Sequence, residues 1–291
     1  MELSEKNDKL KSYLKELGST AVAFSGGVDS TFLLKTATGV LGDNLVAITV
    51  RSGLFPMREL NETFAFCEKE GIKHVILDVN ELEIEGFSEN PVNRCYLCKS
   101  AILKGIWQKA RENGMDKVIE GSNMDDGNDY RPGFQAVLEQ GVKSPLKHAG
   151  LYKEEIRQLS KTLGLAWDRP SFACLATRLP YGESITAERL NQIETAEDFL
   201  LELGLRQLRV RYHNNLARIE TDEAGFSILA DYQIRERVHK RFVEIGFTYT
   251  AVDLLGYRMG SMNDPEMCIE KPQQKNRQFG RMKGKMWMAD D

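Results

Sequence analysis

Four short apolar runs, TAVAF (20–24), NLVAITV (44–50), KHVILDV (73–79) and KVIEGS (117–122), alternate with segments of helical periodicity. Each run has the length and β-branched content of a strand buried on both faces. The segments STFLLKTATGV, MRELNETFAFCEKEG and KSAILKGIWQKARENG supply the helices between them. Such alternation predicts a parallel sheet covered on both sides, an α/β, doubly wound fold. KEEIRQLSKTLG (153–164) adds a helix to this half, and SFACLATRLPYGES reads as a loop with Pro180 and Gly182 as breakers.

Beyond that loop the pattern changes. TAERLNQIETAEDFLLELG (186–204) has a helix start at Thr186 and a stop at Gly204. RQLRVRYHNNLARIET predicts a hairpin about Asn214–Asn215, and FTYTAVDLLGY (247–257) another strand. The expected organisation is a large α/β domain over 1–182, a small α+β domain over 183–265 and a flexible basic tail over 266–291.

Charge is uneven. The chain carries −4 overall, and its last stretch, KPQQKNRQFGRMKGKMWMADD, holds six Lys/Arg and two Asp, so residues 1–270 stand at −8. A body this acidic does not attract phosphate backbones, and nucleic acid is not the expected partner. No run of some twenty apolar residues is present, so no membrane span is expected. MELSEKNDKLKSYLKELG places Leu3, Leu10, Leu14 and Leu17 at helical spacing, an amphipathic helix rather than a signal peptide. A cytoplasmic address follows as the expectation. There the five cysteines serve as thiols, ligands or catalysts rather than as a disulfide framework.

Ser25-Gly26-Gly27-Val28-Asp29-Ser30 lies between the first strand and its helix. Two glycines let the backbone turn sharply, two hydroxyls add donors, and the helix points its positive end at the loop. That is an anion cradle, without the lysine of a Walker-type loop. Gly121-Ser122-Asn123-Met124-Asp125-Asp126 ends another strand at the same edge, where ligands of such sheets bind. Gly121 and Asp125 are candidates there, although a capped acidic turn looks similar. Arg131, in the following DYRPG, is a candidate grip for a carboxylate or phosphate.

Cys95 and Cys98 in NRCYLCKS and Cys174 in SFACLATR leave several readings open. A redox pair is weakened because Cys-Tyr-Leu-Cys does not follow the first strand of a thioredoxin-like unit. Zinc needs four ligands, and His74, His148, His213 and His239 are scattered. Plain thiols remain a reading, and it is the one given to Cys67 and Cys268. In the last reading, two loops bring the pair and Cys174 together to hold an iron–sulfur cluster by three corners, leaving one iron open.

SGGVDS resembles the signature of the PP-loop ATP pyrophosphatases, which transfer AMP to a substrate oxygen. With the Cys-Tyr-Leu-Cys-Lys segment, NDYRPG, SFACLATRLPYG, RVRYHNNLARIE and GYRMGSMND, the chain is similar to the LarE family of sulfur transferases in nickel-pincer cofactor biosynthesis. The resemblance runs from about residue 4 to 265. It implies ATP with Mg²⁺ near Asp29 and a mononucleotide substrate, pyridinium-3,5-biscarboxylic acid mononucleotide, whose carboxylates are adenylated and then thiolated. It also implies homo-hexamers, with the small domain contributing to substrate binding and subunit contacts. One version of the family sacrifices a cysteine; the other carries a [4Fe-4S] cluster on three. Aligned on Thr177-Arg178-Leu179-Pro180-Tyr181-Gly182, the sacrificial position falls on Ala173, one before Cys174. That departure favours the cluster on Cys95, Cys98 and Cys174. Arg209 and Arg211 match family arginines that bind the substrate phosphate, Glu197 matches a nearby carboxylate, and Arg178 is expected to steady the adenylate. The same reaction with Cys174 sacrificed stays open, as do two rivals: a tRNA thiolase of the same superfamily, and a non-catalytic adenine-nucleotide sensor with an iron–sulfur centre.

Overall fold

Four parallel strands, β1 (Thr20–Ala23), β2 (Leu45–Arg51), β3 (His74–Asp78) and β4 (Lys117–Ile119), form one sheet in the order β3-β2-β1-β4. The computed structural model describes residues 2–127, 132–168, 173–258 and 260–262. Its helices are α1 (Leu3–Leu17), α2 (Val28–Leu41), α3 (Met57–Glu70), α4 (Arg94–Glu112), α5 (Pro132–Glu139), α6 (Pro145–His148), α7 (Lys153–Thr162), α8 (Ala187–Glu202), α9 (Glu223–Leu229) and α10 (Tyr232–Ile245). Successive strand side chains point to opposite faces. Val22 and Ala47 pack in one layer with Leu10, Leu14, Phe32 and Ile156. Ala21, Val46 and Ile48 pack in the other with Ile102, Leu103, Ile106 and Val137. Burial on both faces is why these strands read as unbroken apolar runs. The chain order reverses between β1 and β4, and a crevice opens at such a switch point beyond the strands' carboxyl ends.

A second sheet, in the order β5-β6-β7, is built from β5 (Leu208–His213), β6 (Leu216–Thr221) and β7 (Tyr249–Val252). Asn214 and Asn215 take φ of 46° and 65°, the left-handed pair that a two-residue hairpin turn between β5 and β6 requires. β7 pairs in parallel with β6, so the chain must cross over, and α9 with α10 makes that connection. α8 starts where the sequence predicts: the Thr186 hydroxyl accepts from the Arg189 amide at 3.2 Å.

A third core joins the two halves. Leu54, Phe87, Leu175, Ala176 and Leu179 pack with Ile193, Ala196, Leu200, Val210 and Phe242. Each fully buried Leu or Phe contributes about 1.5–3 kcal/mol, so the segment Leu175–Leu179 is anchored rather than loose. Leu175–Arg178 forms a short 3-10 turn, with Thr177 Oγ1 donating to the Cys174 carbonyl at 2.8 Å. One expectation is corrected. Cys95 and Cys98 do not sit in a loop after the third strand but in the first turns of α4. No helix breaker lies between Pro91 and Gly105, so the helix extends back to Asn93, further than the apolar pattern alone indicates.

Candidate active site

At the end of β1 the chain turns through Gly26, whose φ of 75° only glycine takes up freely. Gly27 caps α2, leaving the amides of Val28, Asp29 and Ser30 in the first turn facing the crevice. Ser25 Oγ and Ser30 Oγ lie 3.1 Å apart, and Ser30 Oγ also donates to the Gly27 carbonyl at 3.1 Å. The loop is thus preset as a cradle of amides and hydroxyls for an oxyanion. Gly121 stands at the end of β4, across the switch point. A Cβ there would come within 3.0 Å of the Ser30 amide nitrogen and 3.2 Å of its Cα. The residue matters because it lets β4 approach the cradle.

Asp29 accepts from Lys153 Nζ at 2.6 Å through Oδ2, while its Oδ1 is buried with no partner among the described residues. Burial raises the pKa of this carboxyl and Asp126 adds to that, against the opposing pull of Lys153. Asp125 accepts from the Lys153 amide at 2.7 Å, and Asp126 from the Asn123 amide at 2.9 Å. Asp125 therefore positions Lys153, and the acidic turn is also a capped turn. Lys153 brings a cation to the cradle from α7. The sequence offers no motif for it, because the contact spans 124 residues.

α4 crosses the sheet on its way to β4, so its first turn lies at the same carboxyl edge. Cys95 is exposed, Cys98 half-buried and Cys174 half-buried at the start of the 3-10 turn. The three thiols are electrostatically coupled. Burial raises Cys98, and Cys174, Glu81 and Cys95 raise it further. Cys174 is also raised, by burial first and then by Cys95, while Arg94 and Arg178 pull the other way. Among the described residues no three Cys, His, Asp or Glu side chains stand in metal-holding geometry. Coupling of charge extends further than a coordination sphere, so the thiols share a neighbourhood without closing on a point. Glu81, whose Oε1 is buried with no partner among the described residues, borders a cavity of about 250 Å³ with Leu54 and Glu194.

Arg178, expected to steady an adenylate, is wholly buried. Its Nε and Nη2 reach the two Glu197 oxygens at 2.9 Å each, and Nη1 donates to the Ala173 carbonyl at 2.7 Å and the Cys174 carbonyl at 3.1 Å. Glu197 also accepts from the Val210 amide at 3.0 Å. Burial opposes its charge, yet Arg178, the Val210 amide and Arg209 hold its carboxyl below the usual range. This fork ties the Cys174 turn to α8 and β5. Arg211 bonds Glu220 Oε2 at 2.7 Å and 3.0 Å, the Thr177 carbonyl at 3.1 Å and Ser261 Oγ at 2.9 Å. Arg209 lies beside it, its guanidinium carbon 5.1 Å from the Tyr257 ring centroid. Both arginines are buried rather than displayed on an open strand face. Arg131 and Cys268 lie outside the described residues. Sequence reasoning missed Lys153, Glu220 and Arg94; Arg94, as the neighbour of Cys95, carried the one available signal.

No protein-family model matches the chain. An uncharacterized protein of Synechocystis sp. is 43% identical over 263 residues, covering 90% of this chain and 98% of that protein. The pyridinium-3,5-bisthiocarboxylic acid mononucleotide synthase of Lactiplantibacillus plantarum is 36% identical over 265 residues, covering 90% and 95%. A component of the glutamine-hydrolyzing GMP synthase of Thermoplasma volcanium is 27% identical over 215 residues, 68% of this chain and 67% of that one. The last match supports assignment of the parallel sheet to the PP-loop fold.

Proposed function

The chain belongs to the LarE family, that of the pyridinium-3,5-bisthiocarboxylic acid mononucleotide synthase, and from this premise we propose how it works as an ATP-dependent sulfurtransferase. ATP lies with its phosphates in the Ser25–Ser30 cradle, and a carboxylate of pyridinium-3,5-biscarboxylic acid mononucleotide attacks the α-phosphorus. Pyrophosphate leaves and an acyl-AMP forms. Sulfur then adds to the acyl carbon, the carbon–oxygen bond to AMP breaks, and a thiocarboxylate results; repetition at the second carboxylate gives the bisthiocarboxylate. The order is chemically required, because a carboxylate does not accept sulfide until it carries a leaving group. Asp29, whose Oδ1 has no partner among the described residues, would suit one ligand position of a Mg²⁺ ion on the pyrophosphate.

The observation that carries the sulfur reading is the placing of the thiols: Cys98 and Cys174 pack against one apolar core, and Cys95 lies one turn before Cys98 on α4. By its chemistry the donor set, three thiols from two segments, would suit a [4Fe-4S] cluster, with burial keeping Cys174 a thiol until a metal binds and Arg94 and Arg178 easing the loss of its proton. Such a group supplies renewable sulfur, since three protein ligands leave one iron open. The chain's own part is to hold the three ligands, with the Arg178–Glu197 fork fixing Cys174 through its carbonyl. In this reading Arg209, beside the Tyr257 ring, and Arg211, which Glu220 holds in place, would take the substrate phosphate. Self-sacrifice of Cys174 is the second reading, favoured by its place at the start of the turn that Arg178 holds. Pyrophosphate release tests the reaction directly. It should require both ATP and the dicarboxylate mononucleotide; nucleotide binding without release leaves a sensor instead.

A further inference from the structure

Two buried arginines near the thiols carry a carboxylate, Arg178 with Glu197 and Arg211 with Glu220. Arg94 does not. It is 4% exposed, yet among the described residues no carboxylate pairs with it. Its Nη1 donates to Asn90 Oδ1, its guanidinium carbon stands 4.3 Å from the Tyr181 ring centroid, and its buried Nε has no partner there. A desolvated cation held only by neutral groups is costly, and it is completed by an anion.

The cradle belongs to the cysteine site. Arg94 precedes Cys95 at the start of α4. Asn90 donates to the Pro180 carbonyl at 2.7 Å and accepts from the Gly182 amide at 3.0 Å, so the chain that follows Cys174 builds the walls. The Arg94 charge also reaches Cys174, ahead of that of Arg178. Resting on the sulfur-transfer reading above, we infer that Arg94 is the receiving site for a free hydrosulfide ion, held against its guanidinium beside the three thiols. Size decides between anions. A hydrosulfide ion is small enough to sit against a buried guanidinium flanked by Tyr181 and Asn90, whereas the substrate's carboxylate brings a pyridinium ring with it. No bond is made or broken in this step; it concentrates the nucleophile where it is used.

Sulfide-dependent thiocarboxylate formation, measured at saturating ATP and dicarboxylate mononucleotide, tests the assignment. Arg94→Gln should raise the KM for sulfide tenfold or more, well beyond any change in the KM for ATP, and Arg94→Lys should restore most of it. A fall in kcat with the sulfide KM unmoved, or a lysine variant as poor as glutamine, overturns it. Iodide, a heavy monoanion, gives a readout free of turnover. In crystals of the wild-type chain its anomalous signal should stand within hydrogen-bond distance of the Arg94 guanidinium, and iodide found only elsewhere overturns the site. That arm and Arg94→Lys decide the matter should Arg94→Gln not fold. Absence of pyrophosphate release in the wild type would instead sink the sulfur-transfer reading, while the iodide result still judges Arg94.

Discussion

At the scale of single residues, Arg178 and Glu197 hold the site in place. Breaking a buried, forked ion pair strands one charge, which costs about 3–5 kcal/mol. Urea denaturation should therefore show Arg178→Met and Glu197→Leu each destabilised by that order. The double variant should recover most of the loss, though not the bonds to the Ala173, Cys174 and Val210 backbone. Additive losses would show that the pair acts through separate contacts. The sign of the pH dependence follows from the carboxyl. Its folded pKa lies below its unfolded one, so the stabilisation is present above the ordinary carboxylate range and is lost as pH falls through the folded value. The wild type should lose stability below about pH 4 more steeply than the double variant. Little of this was legible in the sequence. Glu197 was expected near a ligand from the family resemblance and Arg178 from its place four residues after Cys174, but 19 residues of separation conceal a partnership that only the packing of α8 against the 3-10 turn creates.

Elements were easier to read than their ends. The unbroken apolar runs of β1 and β2 predict burial on both faces, and Asn214–Asn215 predicts its hairpin through its tolerance of positive φ. Asn214→Val should cost about 1–2 kcal/mol, because a β-branched residue resists the left-handed turn; a wild-type unfolding midpoint in that variant would refute the turn assignment. The start of α4 was not legible, since helix boundaries depend on caps and neighbours rather than on apolar spacing. Gly121 was singled out as a ligand candidate, and its geometry lets β4 meet α2 beside the loop. Gly121→Ala should push these elements apart, destabilise by about 1–3 kcal/mol, and weaken ATP binding several-fold by isothermal calorimetry. Unchanged ATP affinity would mean that the cradle does not depend on this approach.

The whole molecule is joined by the core that packs Leu54, Phe87 and Leu175 against α8, β5 and α10. Residue 182 marks a change of pattern in the sequence, but the packing runs across it. Scanning calorimetry of the full chain should then show one cooperative transition, and a fragment beginning at residue 183 should show none, because it lacks one wall of its core. Two separate transitions would contradict a shared core. Among the described residues no helix is long and apolar enough to cross a membrane. The same junction holds the Cys174 turn, since Leu175 donates its amide to the Leu54 carbonyl on one side and Arg178 binds Glu197 of α8 on the other. The decisive measurement is the number of thiocarboxylates formed per chain under anaerobic conditions with sulfide, together with the mass of the Cys174 peptide afterwards. The account predicts many products per chain, bound iron and sulfide, and an unaltered peptide. A stop at one product, with Cys174 lighter by hydrogen sulfide, would contradict it.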